Sequence, residues 1–313
     1  MFNSKGLWRK VLYGLGLMVL SAWTTVVLFQ FLHRSWPTTT VATVTSPLPV
    51  VQTSPQPPPL SFYQRQLLSL RRLHAQAAPI SIDQLVAQAE GVESQTLEWV
   101  SATQTDLASS QPQQYRIAID KTNFGDRRTK DVKGRPVNQP LLIVLHETTS
   151  TADSAVNAML TPHPRDEDQV SYHAIVRQDG AIIYSVDPLK RAYGAGNSAF
   201  NGEQVQTNKA LAASVNNFAY HISLETPMDG YDDKAPEHSG YTSQQYGSLA
   251  WLIAHSGVDP QRITTHAAID QAGERQDPRS FEMDRLLQML ELQSAGLVSF
   301  ATEPTSVPSL PQP

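Results

Sequence analysis

The sequence predicts an α/β fold: a central mixed β-sheet flanked by helices, preceded by an N-terminal transmembrane helix and a disordered linker. Three observations carry that prediction. Residues 141–145, LLIVL, form a continuous apolar run, as a strand buried on both faces requires. Residues 171–186, SYHAIVRQDGAIIYSV, are two β-rich runs around Asp179-Gly180, a hairpin signal. Helical patterns alternate with such runs, and a hairpin among them implies a mixed sheet with helices packed on it.

The elements follow in chain order. Residues 11–32 contain no formal charge and are long enough to cross a hydrocarbon core of about 30 Å as a helix. Lys5, Arg9 and Lys10 precede the run while His33 and Arg34 follow, so the heavier cationic flank places the N-terminus in the cytoplasm. A cleaved signal peptide is the rival reading. The run is long for a signal h-region and no small-x-small site follows it, which favours an uncleaved anchor over residues 1–35. Residues 36–60 are rich in Pro, Thr, Ser and Val and uncharged, a linker tending to polyproline II. At ~3.1 Å per residue it reaches up to ~70 Å.

Residues 61–137 read as a helical arm or stalk with a lead-in segment. Phe62, Leu68 and Leu73 suggest one amphipathic helix, and SIDQLVAQAEGV suggests another with Ser81 as its N-cap. The main domain spans residues 138–292. In it, STADSAVNAML reads as a helix capped by Ser150 or Thr151, and FAYHISLE, residues 218–225, alternates like a strand. Tyr246, Leu249, Leu252 and Ile253 recur at helical spacing in a segment ending at Gly257, and SFEMDRLLQMLELQ is a final helix. Residues 293–313 read as a disordered tail.

Composition narrows the chemistry. With 24 Lys+Arg against 29 Asp+Glu, no basic excess points to a nucleic-acid partner. Cysteine is absent, which excludes disulfides, thiolate metal sites and a cysteine nucleophile. Any metal is therefore held by His, Asp or Glu. His146 ends the apolar strand, His266 follows a β-branched run in RITTHAAID, and Asp277 comes eleven residues later in GERQDP. Two imidazoles and a carboxylate are a catalytic zinc set that leaves a fourth position for water. The helical His-Glu-x-x-His motif is missing, since Ser150 stands four places after His146. Taken alone, each histidine reads as a core or surface residue sooner than as a ligand.

Five blocks change the weighing: IVLHETTS, VSYHAIVRQDGAIIYSV, GAGNSAFNG, HISLETP and ITTHAAIDQAGERQDP, in that order. Together they resemble the type 2 N-acetylmuramoyl-L-alanine amidases, which share a fold with phage amidase lysozymes and peptidoglycan recognition proteins. The resemblance covers roughly residues 138–292. It implies one catalytic Zn2+ per chain and hydrolysis of the amide between N-acetylmuramic acid and L-alanine. It matches His146, His266 and Asp277 to the zinc ligands, Glu225 to an acidic residue that handles the water proton, and Tyr172 to a tyrosine beside the zinc. Arg275 falls where many members carry a catalytic lysine. Arginine keeps that charge but does not donate a proton at ordinary pH, which favours electrostatic stabilisation. The chain departs from the family's Trp-His-Ala-Gly at Tyr193-Gly194-Ala195-Gly196, so a substrate-contacting histidine is expected to be missing.

Among the other candidates, His173 reads as structural, and His221 and His255 as packing or surface residues. Glu147 faces away from His146 by strand alternation, and a hydrogen bond holding another ligand is its suggested role. The expected function is a zinc-dependent peptidoglycan hydrolase on the bacterial cytoplasmic membrane, its domain facing the periplasm or cell wall. Peptidoglycan or a muropeptide is the partner. The alternative is a non-catalytic muropeptide-binding module on the same tether, and a third reading is a structural wall tether.

Overall fold

The structure is a computed structural model that describes residues 59–93, 111–231 and 234–294. The expected transmembrane segment, nearly all of the linker and the tail beyond residue 294 lie outside the described residues. Among the described residues, no helix is long and apolar enough to cross a membrane.

A seven-stranded sheet organises the domain. Its strands are β1 (Ala78–Pro79), β2 (Gln114–Arg116), β4 (Leu142–Glu147), β5 (Ala174–Val176), β6 (Ile182–Tyr184), β8 (Ala219–Leu224) and β9 (Ile263–Thr265). They lie in the order β1-β2-β6-β5-β8-β4-β9. Every neighbouring pair is parallel except β5 with β6. That pair is the expected hairpin, closed where Gly180 takes φ +84° and its N–H reaches the Arg177 carbonyl. β3 (Phe124–Asp126) and β7 (Lys190–Ala192) form a separate antiparallel ribbon.

The two central strands, β4 and β8, are buried along their whole length. Their side chains divide between two faces, as a period of two demands. Leu141, Ile143 and Leu145 join Tyr220, Ile222 and Leu224 under the helices α1 (Phe62–Gln76), α4 (Ser243–Ser256) and α6 (Met283–Ser294). Leu142 and Val144 pack on the opposite side with Ala219 and Ile269, the latter from the short helix α5 (His266–Ile269). On that side α3 (Ala152–Leu160) sets Val156 and Met159 against Ile175 and Ile183, with Leu85 of α2 (Ile82–Glu93). The parallel register brings His146 beside Ser223, so the ends of β4 and β8 meet at one rim of the sheet.

Local chemistry sets the helix ends. Thr151 caps α3 by accepting from the Ser154 N–H. Ser81 and Gln84 exchange capping hydrogen bonds at the start of α2. Thr242 and Gln245 do so at α4, which ends at Gly257 with φ +64°. The four apolar residues read along α4 are all buried.

The N-terminal arm differs from its reading in its buried stripe. That stripe is Leu67, Leu70 and Leu73, while Phe62 is exposed and Leu68 is only partly covered. Ser61 caps α1 and sets a phase in which position 62 points outward. The arm packs on the domain. Gln66 donates to the Gly257 carbonyl at 2.7 Å, and His74 Nε2 lies 2.8 Å from the Tyr220 hydroxyl. β1 and β2 extend the sheet beyond β6.

Candidate metal centre and cavity

His146 is presented by the last turn of a strand that cannot shift without disturbing the core. His266 opens α5, whose N-cap Thr265 accepts from the Ala268 N–H. Asp277 arrives on a loop organised by Asp270, whose carboxylate accepts from the N–H groups of Ala272, Glu274 and Arg275. The Ala267 N–H also bonds the Asp277 carbonyl at 2.9 Å.

The three expected ligands converge. One ligand atom from each of His146, His266 and Asp277 lies within 4.8 Å of the other two, a group that could hold a metal ion. Both imidazoles aim Nδ1 at the carboxylate: His146 at 3.2 Å and His266 at 3.0 Å. Burial lowers His146 to about 4, opposed in part by its bond to Asp277. Burial alone would raise the Asp277 carboxyl, but the bonds from His146 and His266 hold it far below the usual carboxylate range. Neutral imidazole beside a permanent carboxylate is the donor state a divalent cation needs.

The centre opens on a cavity of about 980 Å³. Tyr172, Arg275, His266, Asp277 and the Tyr193–Gly196 stretch line it, with Arg128, Arg191 and Lys209 further out. The Tyr172 ring lies 5.1 Å from that of His146. Burial, then the Asp277 charge, raise its phenol well above the ordinary range, so it stays protonated. Arg275 is exposed at the cavity.

Glu225 is placed differently. Its carboxylate accepts from the Ala152 N–H and the Gln178 N–H, each at 2.9 Å, and it does not line the cavity. Burial raises its pKa, and these two donors oppose the rise.

Glu147 ends in the opposite direction from His146, in a buried ion pair. Arg279 Nε donates to it at 2.6 Å, and both side chains are almost inaccessible. His238 Nε2 lies 3.2 Å from the same carboxylate. Because Arg279 follows Asp277 by two residues, Glu147 anchors the ligand loop through Arg279 and makes no direct bond to a ligand side chain.

His173 Nδ1 accepts from the His221 N–H, while its Nε2 faces the Lys190 carbonyl and the Arg127 guanidinium. Burial holds His173 and His221 well below the imidazole range. His255 is on the surface, its ring tilted 31° against that of Trp251. Of the two readings of His221, the structure has the packing one, with a contact that reading did not include. His221 is fully buried, and its Nδ1 lies 2.9 Å from His146 Nε2. The signal was present in FAYHISLE, since residues 221 and 223 share a face, but only the pairing register shows that this face adjoins His146.

A His-His-Asp centre at the rim of a mostly parallel sheet defines the class: a domain built to present a metal-competent site to a cavity. Residues 136–280 match the family described as N-acetylmuramoyl-L-alanine amidase, and over that segment the resemblance carried by the five sequence blocks is shown. Three solved structures illustrate what this chain is similar to. Citrobacter freundii AmpD is 24% identical, covering 59% of this chain and 92% of its own, with a TM-score of 0.35. Staphylococcus aureus hydrolase AmiA is 17% identical, covering 64% and 95%, with a TM-score of 0.40. E. coli AmiD, in complex with the substrate anhydro-N-acetylmuramic acid-L-Ala-D-gamma-Glu-L-Lys, is 22% identical, covering 54% and 66%, with a TM-score of 0.38. No curated protein matches the chain.

Proposed function

We propose that this chain is a zinc-dependent peptidoglycan hydrolase that cleaves the amide between N-acetylmuramic acid and the L-alanine of the stem peptide. The observation that carries the reading is the convergence of His146, His266 and Asp277 at a cavity, inside the segment that matches the amidase family. When bound, zinc supplies a Lewis acid for the scissile carbonyl and water activated toward a pKa of ~7.

The chain's own residues do the rest. His146 and His266 would turn their Nδ1 atoms to the metal, and Asp277 would add one negative charge. The protonated Tyr172 phenol and the permanent charge of Arg275 line the same cavity, and either would stabilise a developing oxyanion more than the neutral ground state. Glu225 ties the start of α3 and the β5–β6 turn to the end of β8, so we assign it to holding the site's walls. The cavity's volume is that of a small-ligand site, and its lining carries Arg128, Arg191 and Lys209 beside Asp166, Glu167 and Asp168, so it offers both signs of charge to a stem peptide. The uncharged run at residues 11–32 and its cationic flank support a single-pass anchor, with the domain facing the periplasm or wall.

The test is digestion of purified peptidoglycan by the full chain in detergent. The expected product is free stem peptide with an L-alanine N-terminus. Binding to the wall with no such peptide released, zinc being supplied, would transfer the chain to the non-catalytic reading.

A further inference from the structure

His221 is buried, touches a proposed metal ligand, and has a use that neither packing nor the chemistry above requires. The inference rests on the metal reading of His146, His266 and Asp277. Since His146 aims Nδ1 at Asp277, metal binding needs the Nδ1 lone pair free and the ring proton on Nε2. That proton requires an acceptor, and the atom facing it at 2.9 Å is His221 Nδ1. His221 then carries its own proton on Nε2, which has no partner among the described residues.

The close packing around the ring is equally specific. A Cβ built on Gly194 would stand 2.6 Å from His221 Cγ and 2.7 Å from its Nδ1, both far inside contact distance. No side chain fits at 194 while the His221 ring keeps its place. This gives a physical reason for Gly194 where the family often has histidine: an imidazole now reaches the site from the sheet instead of from the cavity loop.

We propose that His221 is a positioning residue that orients His146 and fixes the tautomer leaving its Nδ1 free for the metal, and that Gly194 provides the space His221 needs. The experiment uses the full chain in detergent and measures zinc affinity by chelator competition, beside kcat and the unfolding temperature of the zinc-free protein. His221→Phe keeps a ring without an acceptor. His221→Asn keeps an acceptor, its Oδ1, near the position of Nδ1. Gly194→Ala leaves His221 present but displaces it.

His221→Phe and Gly194→Ala are expected to weaken zinc binding by about 10–100-fold, the usual effect of losing a partner behind a metal-ligating histidine. His221→Asn is expected to stay within a few-fold of wild type. Zinc affinity unchanged in His221→Phe, or lowered equally in Phe and Asn, would overturn the proposal and leave a structural role only. Should His221→Phe fail to fold, Gly194→Ala against His221→Asn decides by the same criterion. A wild type that binds no zinc removes the parent reading too, whereas a wild type that binds beside an equally tight His221→Phe removes this inference alone.

Discussion

At the scale of single residues, the site separates groups that meet the cavity from groups that hold it. Arg275 belongs to the first kind. Its charge stands at the cavity and its backbone N–H is fixed by Asp270. Arg275→Ala is expected to lower kcat by about 10²-fold, the effect of removing one oxyanion partner, with zinc content unchanged. Arg275→Lys restores most of the rate if charge is what counts. A loss of zinc in Arg275→Ala, measured by metal analysis, would show instead that the residue shapes the ligand loop. His146, His266 and Asp277, which the structure brings together, were singled out in the sequence by the five family-like blocks and not by spacing alone. The places of Glu225 and His221 were not legible there. Their neighbours come from β4, α3 and the hairpin turn, all distant in sequence, and one-dimensional spacing carries no register.

At the scale of elements, the sheet and its hairpin followed from runs of apolar and β-branched residues, whose burial does not depend on remote partners. The arm was less legible, because α1 shows a weak stripe until α4 covers it. Leu70 of α1 is fully buried in the main core, so Leu70→Ala is expected to destabilise the domain by about 2–5 kcal/mol in urea unfolding. A change below about 0.5 kcal/mol, the range of an exposed surface position, would show that α1 is an appendage. The β4 end makes a similar claim. Glu147 and Arg279 form a buried pair, and removing one partner strands the other charge. Glu147→Ala is expected to lose about 3–5 kcal/mol of stability and to weaken zinc binding through the freed Asp277 loop. Equal zinc affinity in that variant would separate the ion pair from the metal centre.

At the scale of the whole molecule, buried neutral histidines couple the fold to acid. His74 packs between Tyr184 and Tyr220, and burial lowers its pKa from 6.5 to about 3. Between those values the unfolded chain binds the extra proton and the folded chain does not, so stability falls as pH drops through this window and is fully present above 6.5. In His74→Phe, urea midpoints followed from pH 7 to 4 are expected to fall less steeply than in wild type. Parallel curves would mean that His74 is not neutral in the fold. The same scale explains why a family resemblance was legible earlier than mechanism. Five separated blocks identify a family together, while the roles of individual side chains depend on which faces they share.

The measurement that tests the central claim most directly is zinc content of the purified full chain beside His266→Ala, read together with release of stem peptides from peptidoglycan. The account predicts about one zinc per wild-type chain with peptide release, and neither in the variant. A wild type that releases peptides with no zinc bound, or a His266→Ala chain that keeps both metal and activity, would contradict it.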